Sequence, residues 1–209
     1  MTILEFLDYL AIAVFAATGA LSASRKQLDL IGFIFLAAAA GIGGGTFRDL
    51  ILGQLPVFWV RNPNYLLVCI AAAIILYFTA HLFESRYRLL LWLDAVGIAV
   101  YAVVGAHKGL VVTGSPLVAI LTGAMTGTLG GILRDVLTGA PNAVTRKEIY
   151  VTAAVLGAAS YVGLYELGFP GLPGAAVGAL VAFGVRAGAL LFGWTLPAYR
   201  SREGRPTDP

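Results

Sequence analysis

Gly41-Ile42-Gly43-Gly44-Gly45-Thr46-Phe47-Arg48-Asp49 lies inside an apolar run, a glycine cluster followed at once by an arginine and an aspartate. Both choices are costly in a membrane helix. Each glycine weakens a helix by about 1 kcal/mol relative to alanine. A charged side chain near the bilayer centre costs a few kcal/mol or more. The same arrangement returns as Gly127-Thr128-Leu129-Gly130-Gly131-Ile132-Leu133-Arg134-Asp135. A chain that keeps both features together, twice, has a use for them.

The surroundings decide the class. The 209 residues are 59% hydrophobic and only 12% charged, with a mean hydropathy of +0.86. Soluble domains carry about 25% charged residues, so the composition predicts an integral membrane protein. The apolar runs are long and continuous, which predicts helices and argues against the short alternating segments of a β-barrel. Seven such runs are legible: 3–21, 29–53, 65–83, 89–106, 116–139, 149–167 and 173–194. At about 20 residues per span they leave no room for a sizeable soluble domain. Breakers separate them, among them Arg61-Asn62-Pro63-Asn64, Thr113-Gly114-Ser115-Pro116 and Phe169-Pro170-Gly171-Leu172-Pro173. The first run is not read as a cleaved signal, because Glu5 and Asp8 stand where a signal carries basic residues.

Loop charge orients the chain. With the N-terminus on one side, that side receives Arg61 and Lys108. The other receives Arg25, Lys26, Arg86, Arg88, Arg146, Lys147, Arg200, Arg202 and Arg205. The positive-inside rule then predicts an outside N-terminus and a cytoplasmic C-terminus in the plasma membrane. Arg48, Arg134 and Arg186 remain, all within spans.

A shift of 86 residues lays the sequence on itself without a gap. Leu7-Asp8 meets Leu93-Asp94, Ile12-Ala13-Val14 meets Ile98-Ala99-Val100, and Gly19-Ala20 meets Gly105-Ala106. Gly44-Gly45 meets Gly130-Gly131, Arg48-Asp49 meets Arg134-Asp135, and Gly53 meets Gly139. Each copy holds three spans, and an odd number reverses direction, so the copies enter the membrane from opposite sides. The expected fold is all-α, with seven transmembrane helices as two inverted three-helix repeats plus a seventh. The units are 1–83, 84–168, 169–199 for the seventh helix, and a disordered cytoplasmic tail at 200–209.

The glycine clusters admit two readings: close helix packing through small residues, or a kinked element lining a cavity. Their density in the second and fifth spans favours the kink. For the charged motifs, residues adjacent on a helix do not face each other. Arg48 is therefore expected to pair with Asp8 and Arg134 with Asp94, leaving Asp49 and Asp135 to face the cavity. Arg186, between Gly184 and Gly188, has no repeat mate, and a structural or lipid-binding role stays open. His81 and His107 read as helix-end residues without ligand spacing, so no metal site is expected. Nothing has the form of a nucleophile–base pair or a phosphate loop, so neither an enzyme nor a cofactor is expected, and no nucleic acid. Trp59, Trp92, Trp194 and Tyr199 read as interfacial anchors.

On these motifs the sequence resembles the trimeric intracellular cation (TRIC) channels, in their prokaryotic branch. The likeness spans about residues 5–195. It implies a homotrimer in membrane lipid, with a pore for monovalent cations, chiefly K⁺, through the six repeat helices of each protomer. It implies pore-lining second and fifth helices kinked at their glycines, which here assigns Gly43, Gly44, Gly45, Arg48, Asp49, Gly130, Gly131, Arg134 and Asp135 to pore or gate. Animal members carry a Lys-Glu-Val motif at a phosphoinositide site; Arg134-Asp135-Val136 departs from it. Some bacterial relatives are described as glycine transporters. The alternative is therefore a secondary carrier of a small amino acid such as glycine, and a third reading is a non-transporting scaffold.

Overall fold

The computed structural model describes residues 3–83, 85–141 and 149–197. The expected tail at 200–209, the anchor Tyr199 and the loop charges Arg146 and Lys147 lie outside the described residues. Among those described, the chain is helical: α1 (Ile3–Arg25), α2 (Leu30–Ile51), a four-residue α3 (Phe58–Arg61), α4 (Asn64–Thr79) with a 3₁₀ turn after it, α5 (Arg86–Thr113), α6 (Pro116–Leu137), α7 (Val151–Glu166) and α8 (Leu172–Phe192).

Local chemistry sets the boundaries. Asp29 caps α2 by accepting from the Gly32 N–H at 2.7 Å. Ser85 and Ser115 cap α5 and α6, and Pro116 opens α6, where its missing N–H costs nothing. The helices α2 and α6 end alike. Gly53 (φ +64°) and Gly139 (φ +61°) take the left-handed conformation that glycine adopts freely. Gln54 N then donates to Asp49 O at 2.8 Å, and Ala140 N to Asp135 O at 2.9 Å.

Among the described residues, six helices are long and apolar enough to cross a membrane: α1, α2, α4 with its 3₁₀ turn, α5, α6 and α8. The expected span at 149–167 corresponds to α7, whose 16 residues reach about 24 Å at 1.5 Å per residue. One boundary differs with consequence. The sequence pattern ends the fourth span at 106, putting Lys108 in an outer loop. Instead α5 runs on to Thr113 and stops at Gly114 (φ +65°), so His107 and Lys108 lie inside the helix.

The helix α5 is the axis of the bundle: 72% of its apolar window is buried within the protein, against 22% for α4. It packs on α1, α6, α7 and α8, while α1 packs on α2 and α4, and α2 on α6. Apolar contact alone gives helices little reason to associate in lipid, so close approach through small residues matters. The core accordingly holds many alanines, among them Ala11, Ala16, Ala20, Ala37, Ala40, Ala102 and Ala106. At the α2–α6 crossing the backbones touch: a methyl on Gly44 would collide with the carbonyl oxygen of Thr126, and one on Gly130 with that of Ala40. The shift of 86 residues turns the first contact into the second.

Candidate functional site

Two charged clusters flank this crossing, one at the end of α2 and one at the end of α6. In the first, Arg48 is 2% and Asp49 1% exposed. Arg48 Nε donates to Asp49 Oδ1 at 2.9 Å. Lys108 Nζ donates to the same oxygen at 2.7 Å, and Asp49 Oδ2 accepts from the Phe58 N–H at 2.9 Å. The Arg48 guanidinium also lies 5.6 Å from the centre of the Phe58 ring. Asp8 stands 3.9 Å from Arg48 Nη1, an electrostatic contact beyond hydrogen-bond range.

In the second cluster, Arg134 Nη1 donates to Asp94 Oδ1 at 2.8 Å and Arg134 Nε to Asp135 Oδ1 at 2.9 Å. Asp94 is buried, as is Tyr150, whose hydroxyl lies 3.5 Å from Asp94 Oδ1.

Two expectations are corrected here. Arg48 and Arg134 do pair with the aspartate that follows each. The helix-face rule describes where Cβ atoms point, and an arginine is long enough to curl its Nε back to the next carboxylate. Burial makes this favourable, because a guanidinium and a carboxylate withdrawn from water each need a partner. Consequently Asp49 is not left to face a cavity: it holds three donors and is sealed.

The clusters differ in openness. Around the second lies a cavity of about 310 Å³ lined by Ser22, Arg25, Lys26, Tyr87, Asp94, Arg134, Asp135, Thr138 and Tyr150, with apolar residues completing the wall. The Asp135 side chain is 15% exposed there, against 1% for Asp49. Ser22 stands 86 residues before Lys108. One end of the protein thus has an ammonium on its carboxylate where the other has a serine and open space.

The glycines within α2 and α6 all meet neighbours. Gly43 lies against the Leu133 side chain, Gly45 against the Phe58 ring and Gly131 against the Tyr150 hydroxyl. Both α2 and α6 run through their glycines as unbroken helices. The Gly41 carbonyl accepts a second contact, from Tyr101 Oη at 3.2 Å. Trp59, expected as an anchor, donates from Nε1 to Thr46 Oγ1 at 3.0 Å. His107 is interior to α5, its Nδ1 2.6 Å from Tyr161 Oη. Among the described residues no group of His, Cys, Asp and Glu is arranged to hold a metal. Arg186 is buried beside Tyr150.

Lys108 is the site residue that sequence reasoning missed. Its signal was present: the apolar pattern resumes as Leu110-Val111-Val112 and the first helix breaker is Gly114.

With this geometry in view, the comparisons are specific. A family model described as "Glycine transporter" matches residues 5–81 and 91–166. A solved structure, the TRIC trimeric intracellular cation channel orthologue from Rhodobacter sphaeroides, is 48% identical, with a TM-score of 0.90 over 93% of this chain and 100% of that one. The chain belongs to the TRIC family. A second prokaryotic TRIC channel structure, 29% identical, has a TM-score of 0.86 over 93% of this chain and 98% of its own. A membrane protein of Vibrio cholerae, UPF0126, is 36% identical over 95% of this chain and 83% of its own length. This TRIC-family chain is a multi-pass helical membrane protein.

Proposed function

We propose that this protein is a channel for monovalent cations, chiefly K⁺, assembled as a homotrimer with one conduction path through each protomer. Seven spans, arranged as two inverted three-helix repeats and a seventh helix, build it. The N-terminus lies outside and the C-terminus in the cytoplasm of the plasma membrane. The path leads from the Asp49 cluster to the Asp135 cluster past the α2–α6 crossing. The observation that carries this reading is the reciprocal contact at that crossing, Gly44 on Thr126 and Gly130 on Ala40, with a buried Arg-Asp pair at each end. Two family-model matches that start 86 residues apart support the repeat, and the high likeness to a TRIC cation channel supports the permeant class.

In the conformation described, backbone contact closes the crossing and Lys108 closes the Asp49 end. Opening requires α2 and α6 to part or kink at their glycines, where a helix bends most readily. The more exposed Asp135 raises the local cation concentration at its end, Lys108 offsets Asp49 at the other, and the arginines set the barrier.

A second reading, a carrier for a small zwitterion such as glycine, is favoured by one observation. The cavity of about 310 Å³ presents Arg25, Lys26 and Arg134 together with Asp94 and Asp135, groups of both signs suited to a carboxylate and an ammonium. Liposomes holding the purified protein separate the two readings. Potassium efflux that grows linearly with driving force supports the channel; saturable glycine uptake without potassium efflux supports the carrier.

A further inference from the structure

Arg186 carries the only charge on α8 and has no counterpart in the repeat. It is 1% exposed. A buried guanidinium persists only where other groups replace its water. Its Cζ lies 5.2 Å from the centre of the Tyr150 ring, and its Nη1 is 3.4 Å from the Ile149 carbonyl oxygen. Arg186 therefore grips the ring and backbone that lead into α7, where Tyr150 is the cap residue. The phenol in turn fills a notch that exists only because residue 131 is glycine: a methyl there would collide with Tyr150 Oη. From that notch the hydroxyl lies 3.5 Å from Asp94 Oδ1 and 3.5 Å from the Thr128 carbonyl. Tyr150, Asp94, Arg134 and Asp135 wall the cavity, and Arg186 stands behind that wall.

We propose that Arg186 is a positioning residue for the Asp135 end of the protein. By holding a cation over the Tyr150 ring it keeps the phenol seated against α6, and the seated phenol keeps Asp94 and Arg134 in the geometry that bounds the cavity. The helix outside the repeat thereby sets the shape of one end of the path and leaves the Asp49 end untouched. Only the transport arm of the test rests on the channel reading.

The test reads cavity access directly. In a Cys69→Ala background, Ser22→Cys introduces a thiol on the cavity wall, and its modification rate by a small methanethiosulfonate is measured in nanodiscs. Arg186→Gln is expected to speed modification about tenfold, the change that loss of one desolvated cation–π contact brings. Arg186→Lys, which keeps a cation over the ring, is expected to stay within about threefold of the parent. Tyr150→Leu should reproduce Arg186→Gln, and the double substitution should add nothing, since both act through one contact. An unchanged rate in Arg186→Gln with a lowered melting temperature would show a merely structural arginine and overturn the proposal, as would additive effects. Should Arg186→Gln not fold, the rate in Tyr150→Leu decides: a tenfold rise supports the proposal and an unchanged rate overturns it. Potassium flux is recorded for each variant. If the parent carries no potassium, the channel reading fails while the modification rates still judge the positioning role.

Discussion

Lys108→Gln and Asp49→Asn should move potassium conductance in opposite directions. The Asp49 cluster holds two cations, Arg48 and Lys108, against two carboxylates, Asp8 and Asp49. Removing Lys108 leaves it one charge negative; removing the Asp49 charge leaves it one positive. A unit charge about 5 Å from a passing ion is worth about 3 kcal/mol at an effective dielectric of about 20. The Lys108 side chain is 30% exposed, so water and salt reduce this to about 1 kcal/mol, or a factor of about five in local cation concentration. Conductance in 0.1 M KCl is therefore expected to rise by about that factor in Lys108→Gln and to fall by about as much in Asp49→Asn. The gap should shrink in 1 M KCl, where the screening length is about 3 Å. Single-channel amplitudes in planar bilayers measure this, with detergent melting curves as the control for folding. Changes of the same sign, or none, would refute the claim that this cluster governs cation entry.

Other consequences follow from the same contacts. Gly44→Val and Gly130→Val should each destabilise the protein by about 1–3 kcal/mol through overpacking, and by similar amounts because their contacts are reciprocal; thermal melts of the two variants compare them. Arg134→Gln leaves Asp94, 1% exposed, without its 2.8 Å donor. It should cost about 3–5 kcal/mol, read as a fall in melting temperature larger than that of Lys108→Gln. Cysteines introduced at Gln54 and Ala140, just past the matching ends of α2 and α6, should react with an impermeant reagent from opposite sides of oriented vesicles; labelling from one side would end the inverted-repeat reading.

Much of the fold was legible because lipid imposes simple rules. Long apolar runs and their Gly/Pro breakers located the helices, and the fixed offset of Asp8, Arg48 and Asp49 onto Asp94, Arg134 and Asp135 marked the charged elements. What failed did so for identifiable reasons. Lys108 reads as a loop charge because a lysine after a histidine looks like a span end; in the folded protein its ammonium sits on a buried carboxylate 59 positions away in sequence. The pairing within Arg48-Asp49 and Arg134-Asp135 is hidden from helix-face reasoning because side-chain length overrides Cβ direction. The contrast between a sealed Asp49 and a more open Asp135 is a tertiary property: it depends on which residue, Lys108 or Ser22, the neighbouring helix brings to each end.

The central claim is conduction. Purified protein fused into a planar bilayer under a KCl gradient tests it most directly. Discrete ohmic currents reversing near the potassium equilibrium potential are expected. Electrical silence, together with saturable glycine uptake by the same preparation in liposomes, would contradict it.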